Sequence, residues 1–231
     1  MRRSKRKRRS SRCFAAAISY NALILMTARI ALLMVATLVA CQSDKAARVD
    51  FSDTDRTYVA NDYNDVYQRW TRHDFTMYQV EKALEVWATY KSWDFREAYV
   101  ERYAASYSLP DSERATLRAA QRDAFHSAYE FHLTAQSANY KWNDLEKSSS
   151  PWVITLLDAL GHELQAERPI KIEKLPEPYE IEFFPSKTPF SKTYSVKFVP
   201  PTSTDFAGIK SGSIILRIAS PIGRIELTWR T

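Results

Sequence analysis

The chain has 231 residues, 45% hydrophobic and 26% charged, with a formal net charge of +6 at pH 7. That length supports one domain, or two small ones, with a real core. It has only four glycines (Gly161, Gly208, Gly212 and Gly223), where average usage would give about 16. This excludes the phosphate-cradling loops G-x-x-x-x-G-K-S/T and G-x-G-x-x-G, which need several glycines close together.

The first predicted element is a leader. Arg2, Arg3, Lys5, Arg6, Lys7, Arg8, Arg9 and Arg12 form a basic block, followed by an apolar stretch from Phe14 to Ala40 that Asn21 and Arg29 interrupt. Arg29 near the centre of a spanning helix would cost about 2.5–3.5 kcal/mol. The uninterrupted run 30–40 is short of the ~20 apolar residues that a span needs, but it suits a signal h-region. The run closes on Leu38-Val39-Ala40-Cys41. Basic residues, an apolar core, small residues and then cysteine together resemble the lipobox leader of bacterial prolipoproteins. The resemblance implies that Cys41 receives a diacylglyceryl group and that signal peptidase II cuts between Ala40 and Cys41. Residues 1–40 would then be a signal peptide and Cys41 the first residue of the mature chain. Gln42 in place of aspartate after the cysteine implies, in many Gram-negative bacteria, passage to the outer rather than the inner membrane, with the body in the periplasm. Met26 offers a more compact leader of the same kind, so the true start is expected there.

Removing residues 1–40 takes nine of the 33 basic side chains and no acidic one, leaving 24 against 27, a net of −3. A nucleic-acid partner needs a concentrated basic surface and is not expected. Cys13 leaves with the leader and Cys41 would be acylated, so neither a disulfide nor a free thiol is expected in the mature chain.

Residues 41–53 are polar and aperiodic and read as a lipidated tether, with a coil reach on the order of 20 Å. From 54 to 167 the spacing predicts a helical region resembling a bundle. A first helix is expected over about Asp55 to Arg72. Met77, Val80, Leu84 and Trp87 form the stripe of a second. Phe95, Tyr99 and Tyr103 mark a third, ending near Leu109-Pro110. Leu117, Ala120, Ala124, Ala128, Phe131 and Ala135 form a longer stripe, and Ser150-Pro151 to Gly161 reads as a short capped helix. From 168 to 231 the period becomes two: Ile170 and Ile172; Tyr179, Ile181 and Phe183; Tyr194, Val196 and Phe198. Strands over about Ser213–Ala219 and Arg224–Arg230 flank Ser220-Pro221-Ile222-Gly223 and read as a hairpin with a longer loop. The fold class expected is α+β, helices first and a small antiparallel sheet last.

No chemical constellation is complete. His126 and Glu130 are four apart on a predicted helix, but His132 points away, and His162-Glu163 lacks the second histidine of H-E-x-x-H. Asp53, Asp55, Asp62 and Asp65 lack the glycine and closing glutamate of a calcium loop. Ser211-Gly212-Ser213 is a turn, not a nucleophile elbow. Glu97 and Glu101 share a helix face, where solvated charge is the ordinary state. No cofactor, metal site or catalytic residue is therefore assigned. Aromatics crowd the first half of the mature chain, and Tyr67, Trp70, Trp87 and Trp93 are the candidates for stacking against a ligand such as peptidoglycan, against a helical aromatic core as the plainer explanation. The expected function is that of a lipid-anchored envelope protein that binds or scaffolds another envelope component. The alternative is a periplasmic hydrolase acting on envelope glycan or peptide, with a carboxylate and histidine site scattered along the chain.

Overall fold

The computed structural model describes residues 48–172, 177–201 and 205–231; Met26, Ala40 and Cys41 lie outside the described residues. In chain order, an irregular segment and a 3-10 turn (Ala60–Asp62) lead into α1 (Tyr63–Trp70), β1 (Thr71–Tyr78), β2 (Glu81–Tyr90), α2 (Trp93–Tyr107) and α3 (Asp111–Ser127). There follow β3 (Tyr129–Gln136), β4 (Val153–Asp158), β5 (Glu163–Gln165), β6 (Ile170–Lys171), α4 (Glu177–Phe183), β7 (Lys192–Phe198), β8 (Ser213–Ser220) and β9 (Gly223–Arg230). The protein is α+β, with strands interleaved among the helices.

Two antiparallel sheets form, in the orders β1-β2-β3-β7-β6 and β5-β4-β8-β9. Their facing sides follow from period two. Leu84, Val86, Ala88 and Tyr90 of β2, Phe131, Leu133 and Ala135 of β3, and Tyr194, Val196 and Phe198 of β7 are buried on one sheet. Ile154 and Leu156 of β4, Ile214, Leu216 and Ile218 of β8, and Ile225, Leu227 and Trp229 of β9 meet them from the other. Trp229 joins the layers, its ring 5.3 Å from Phe131 and its indole N–H donating to the Trp70 carbonyl at 2.9 Å. The sheets approach so closely at β1 and β9 that a Cβ on Gly223 would meet Thr76 Oγ1 at 2.3 Å.

The other face of the first sheet is polar and nevertheless buried. It carries Thr89, Glu130, His132, Thr134 and Thr193, and the register sets Thr89 and Ser195 on either side of His132. Helices cover it: Phe184, just after α4, stacks on His132, and Arg96 of α2 reaches Glu130.

The expected helical bundle over 54–167 does not form; five strands, β1 to β5, lie there. Met77, Val80, Leu84 and Trp87 belong to a β1–β2 hairpin whose turn places Gln79 at φ 56. The same segment also alternates, Leu84-Val86-Ala88-Tyr90, and pairing on both sides favoured that period. The long third stripe stops at Ser127, and Phe131 and Ala135 become core positions of β3. Residues 153–158 form β4 rather than a helix, because Ile154, Thr155, Leu156 and Leu157 are all covered; Gly161 at φ 86 turns the chain into β5. In the opposite sense, Tyr179, Ile181 and Phe183 sit on the helix α4. Ser220 pairs directly with Gly223, so the β8–β9 loop is the two residues Pro221-Ile222, shorter than expected. Strands from either side of residue 168 combine in both sheets, so a division there runs through each of them.

The tether is shorter than 41–53. Arg48 bridges Arg230, Val49 N–H donates to the Arg230 carbonyl at 2.8 Å, and Phe51 packs 5.8 Å from Trp70. Among the described residues no helix is long and apolar enough to cross a membrane.

Candidate functional site

The polar face of the first sheet is not filled completely. Between it and the helices lies a cavity of about 270 Å³. Three local features build its polar end. Ser92 caps α2, its hydroxyl accepting from Phe95 N–H at 3.1 Å, which fixes where the helix begins. Lys91 immediately precedes this cap and is pinned by its own backbone: its N–H donates to the Glu130 carbonyl at 2.9 Å, and its carbonyl accepts from Arg96 Nε at 3.0 Å. Alternation along β3 then presents Glu130 and His132 side by side.

Glu130 accepts from Lys91 Nζ and Arg96 Nη2, both at 2.8 Å, and from Ser195 Oγ at 3.3 Å. Burial alone would raise its carboxyl, but the Lys91 and Arg96 charges and their hydrogen bonds more than reverse this and hold it at about 2. Burial pushes the Lys91 ammonium below its usual range, opposed by Glu130. Each nitrogen of Arg96 makes one hydrogen bond, its Nη1 donating to Gln121 Oε1 of α3 at 2.6 Å. The Tyr99 and Tyr179 hydroxyls share a hydrogen bond of 2.6 Å, and burial raises both.

His132 is the unusual member. It is 3% exposed, lies face to face with Phe184 at 3.4 Å, and lines the cavity. Its Nε2 has no hydrogen-bond partner among the described residues. Burial first, and then the Lys91 charge, hold the imidazole far below its usual range, so it is neutral at physiological pH. A buried polar atom without a partner costs about 1–3 kcal/mol, and proteins rarely keep one without a use. Asn143 Oδ1 and Glu146 Oε2 are also unpartnered among the described residues, but they belong to the loop between β3 and β4 and line neither this cavity nor a recess of about 510 Å³ beside Tyr90 and Tyr129.

Ser195 stands opposite His132 in the register, yet its hydroxyl donates to Glu130, so no serine and histidine pair is set for nucleophilic attack. Among the described residues no group of three His, Cys, Asp or Glu side chains could hold a metal ion.

Several residues singled out from sequence lie elsewhere. Tyr67, Trp70 and Trp93 are core residues, 6%, 0% and 2% exposed, and they offer no face to a ligand. Tyr67 donates to Ser186 Oγ, Trp70 donates to Asp94, and Arg122 covers Trp93 at 4.3 Å. Trp87 is half-buried under the His73 ring, 4.4 Å away, and His73 bonds to Glu85. For Tyr67, Trp70 and Trp93 the stacking assignment is corrected by burial, since an aromatic-rich chain of this size needs most of its rings for its core. His126 is exposed at the end of α3 and shares no helix face with Glu130, which sits on β3. His162 bonds to Asp158 at 3.1 Å in the β4–β5 turn. Glu97 is buried rather than solvated, one oxygen held by Arg118 and the other accepting from Arg56 N–H at 2.7 Å, while Glu101 pairs with Arg114. The cavity residues Lys91 and Gln121, and Arg96 behind Glu130, escaped sequence reasoning. The available signal was the alternation Glu130, His132, Thr134 against Phe131, Leu133, Ala135, a strand with one polar buried face.

Comparison of the chain with models of known protein families, with curated proteins and with solved structures finds no match.

Proposed function

We propose that this chain is a cell-envelope lipoprotein, held at a membrane by acyl chains on Cys41, whose body is a binding component with the His132 cavity as its ligand site. The observation that carries the binding role is a neutral, buried imidazole with an unpartnered nitrogen beside an ion-paired carboxylate in an aromatic-walled cavity. A small ligand, or a projecting group of peptidoglycan or an envelope protein, would supply the missing hydrogen bond.

The anchoring role rests on the leader, on Cys41 and on the short spacing to Arg48. Acyl burial contributes about 0.8 kcal/mol per methylene, so one chain holds marginally and two or more hold stably. Six residues separate Cys41 from Arg48 in the sequence, so the body would ride close to the lipid surface. Gln42 favours the outer membrane.

Metabolic labelling with an alkynyl fatty acid tests the anchor. The wild-type chain takes the label, and Cys41→Ser or a signal peptidase II inhibitor abolishes the mature labelled band. An unmodified thiol at Cys41 in the mature protein would overturn the assignment.

A further inference from the structure

The hydrogen-bonding inventory of the cavity is lopsided, and its imbalance identifies a ligand class. Glu130 already accepts three bonds, from Lys91, Arg96 and Ser195, and so offers little to a ligand. Donors remain. Lys91 spends one of its three ammonium N–H groups on Glu130, leaving two. Gln121 turns its oxygen to Arg96, which fixes the amide orientation and leaves its NH2 without a partner among the described residues. The Tyr99–Tyr179 pair shares one hydroxyl proton and keeps the other free. In its Nε2–H tautomer His132 adds one more donor.

Charge points the same way. Among the described residues Lys91 and Arg96 share the single carboxylate of Glu130, so these three groups carry one surplus positive charge. Of the further cations on this face, Lys187 is matched by Glu180, and Lys197, opposite Glu130 in the register, is exposed to solvent. A buried surplus charge is costly unless an opposite charge meets it. The remaining walls, Phe95, Phe184 and Ile172, are apolar. The volume of about 270 Å³ corresponds to roughly nine waters at liquid density.

The geometry points to a small organic monocarboxylate as the ligand, its anion at Lys91, Gln121 and His132 and its apolar body against Phe95 and Phe184. This rests on the reading of the cavity as a binding site. A monoanion balances the surplus charge, and a planar carboxylate accepts from several donors at once. The apolar body replaces water on the aromatic wall.

Benzoate, with benzamide as its uncharged isostere and inorganic phosphate as a compact anion, tests this on the full chain in detergent micelles. Calorimetry reads affinity, and 15N-histidine spectra read which of the four histidines responds. Benzoate is expected to bind at least tenfold more tightly than benzamide or phosphate and to shift the His132 Nε2 resonance. Lys91→Met is expected to lower benzoate affinity at least tenfold while changing benzamide affinity less than threefold. The wild-type comparison stands alone should that variant fail to fold, and Gln121→Leu, on the exterior helix α3, provides a second. Equal binding of benzoate and benzamide at His132 would overturn the carboxylate assignment and keep the cavity as a site. Preference for phosphate would overturn the organic ligand. If none of the three probes moved His132, both the assignment and the binding reading would fall.

Discussion

His132 and Glu130 are neighbours on one strand whose environments move their titrations down for different reasons, and the result is legible as acid sensitivity. Burial keeps the His132 imidazole neutral in the folded state, with Lys91 and Lys187 adding repulsion and Glu130 opposing them. The unfolded chain takes up that proton below about pH 6.5 and the native state does not. Unfolding therefore binds protons, and stability declines as pH falls from about 6.5. Glu130 acts in a lower window. Its carboxyl is held at about 2 in the fold against an ordinary 4.5, so its contribution is complete above 4.5 and lost as pH falls towards 2. That difference is worth on the order of 3 kcal/mol. Denaturant titrations across pH 7 to 2 should separate the two. Relative to wild type, His132→Asn flattens the upper part of the decline and Glu130→Gln the lower. Parallel curves for wild type and His132→Asn between pH 6.5 and 4.5 would mean that the imidazole is not held neutral.

At the scale of elements, ion pairs replace apolar packing in one place. No residue of α3 is fully buried. It is fastened instead by Arg118 to Glu97 and Asp55, and by Arg122 to Asp55 and over Trp93. Asp94, in the first turn of α2, gathers a second cluster: Arg56 at 2.7 Å, Arg69 at 3.0 Å, the Trp70 indole N–H at 2.7 Å and the Tyr58 hydroxyl. A carboxylate there also suits the positive end of the helix dipole. Removing one partner of a buried pair costs about 3–5 kcal/mol because the others are left unmatched. Asp94→Ala should destabilise by about that amount. It should also free the segment before α1, seen as new tryptic cleavage at Arg56; unchanged stability and protection would show that Asp94 does not fasten the segment. Where an element depended on local alternation or on a cap it could be read from sequence, as with Lys192–Phe198, the β8–β9 hairpin and α2 up to Leu109. Where it depended on partners far along the chain it could not. The β1–β2 turn has no glycine to announce it, only Gln79 in a left-handed conformation. The four apolar residues 154–157 fit a buried strand as well as a helix until β8 is known to lie beside them. The candidate site shared this fate: Lys91 precedes α2, Arg96 lies on α2, Gln121 on α3, and Glu130 and His132 on β3, and only the fold brings the three groups together.

Across the whole molecule, the sheets tie the sequence together end to end. β3 pairs with β7 over seven residue pairs and β4 with β8 over six, each crossing residue 168. The N-terminal segment closes against the last strand through Arg48 and Arg230. The inter-sheet core draws Trp70, Phe131 and Trp229 into one cluster with residues from nearly every element. An isolated 48–167 fragment would keep β1, β2 and β3 but expose the apolar face that β8 and β9 cover, and would leave the β7 edge of β3 open. An isolated 168–231 fragment would keep a hairpin and two strands with no partner sheet, too little surface for independent stability. Shared cores of this kind unfold together. Urea unfolding followed by tryptophan fluorescence and by far-ultraviolet circular dichroism should therefore give one coincident transition, and neither fragment alone should show cooperative melting. Two resolved transitions, or a folded 48–167 fragment, would mean that the sheets are separable units and that the β3–β7 and β4–β8 pairings contribute far less than their length requires.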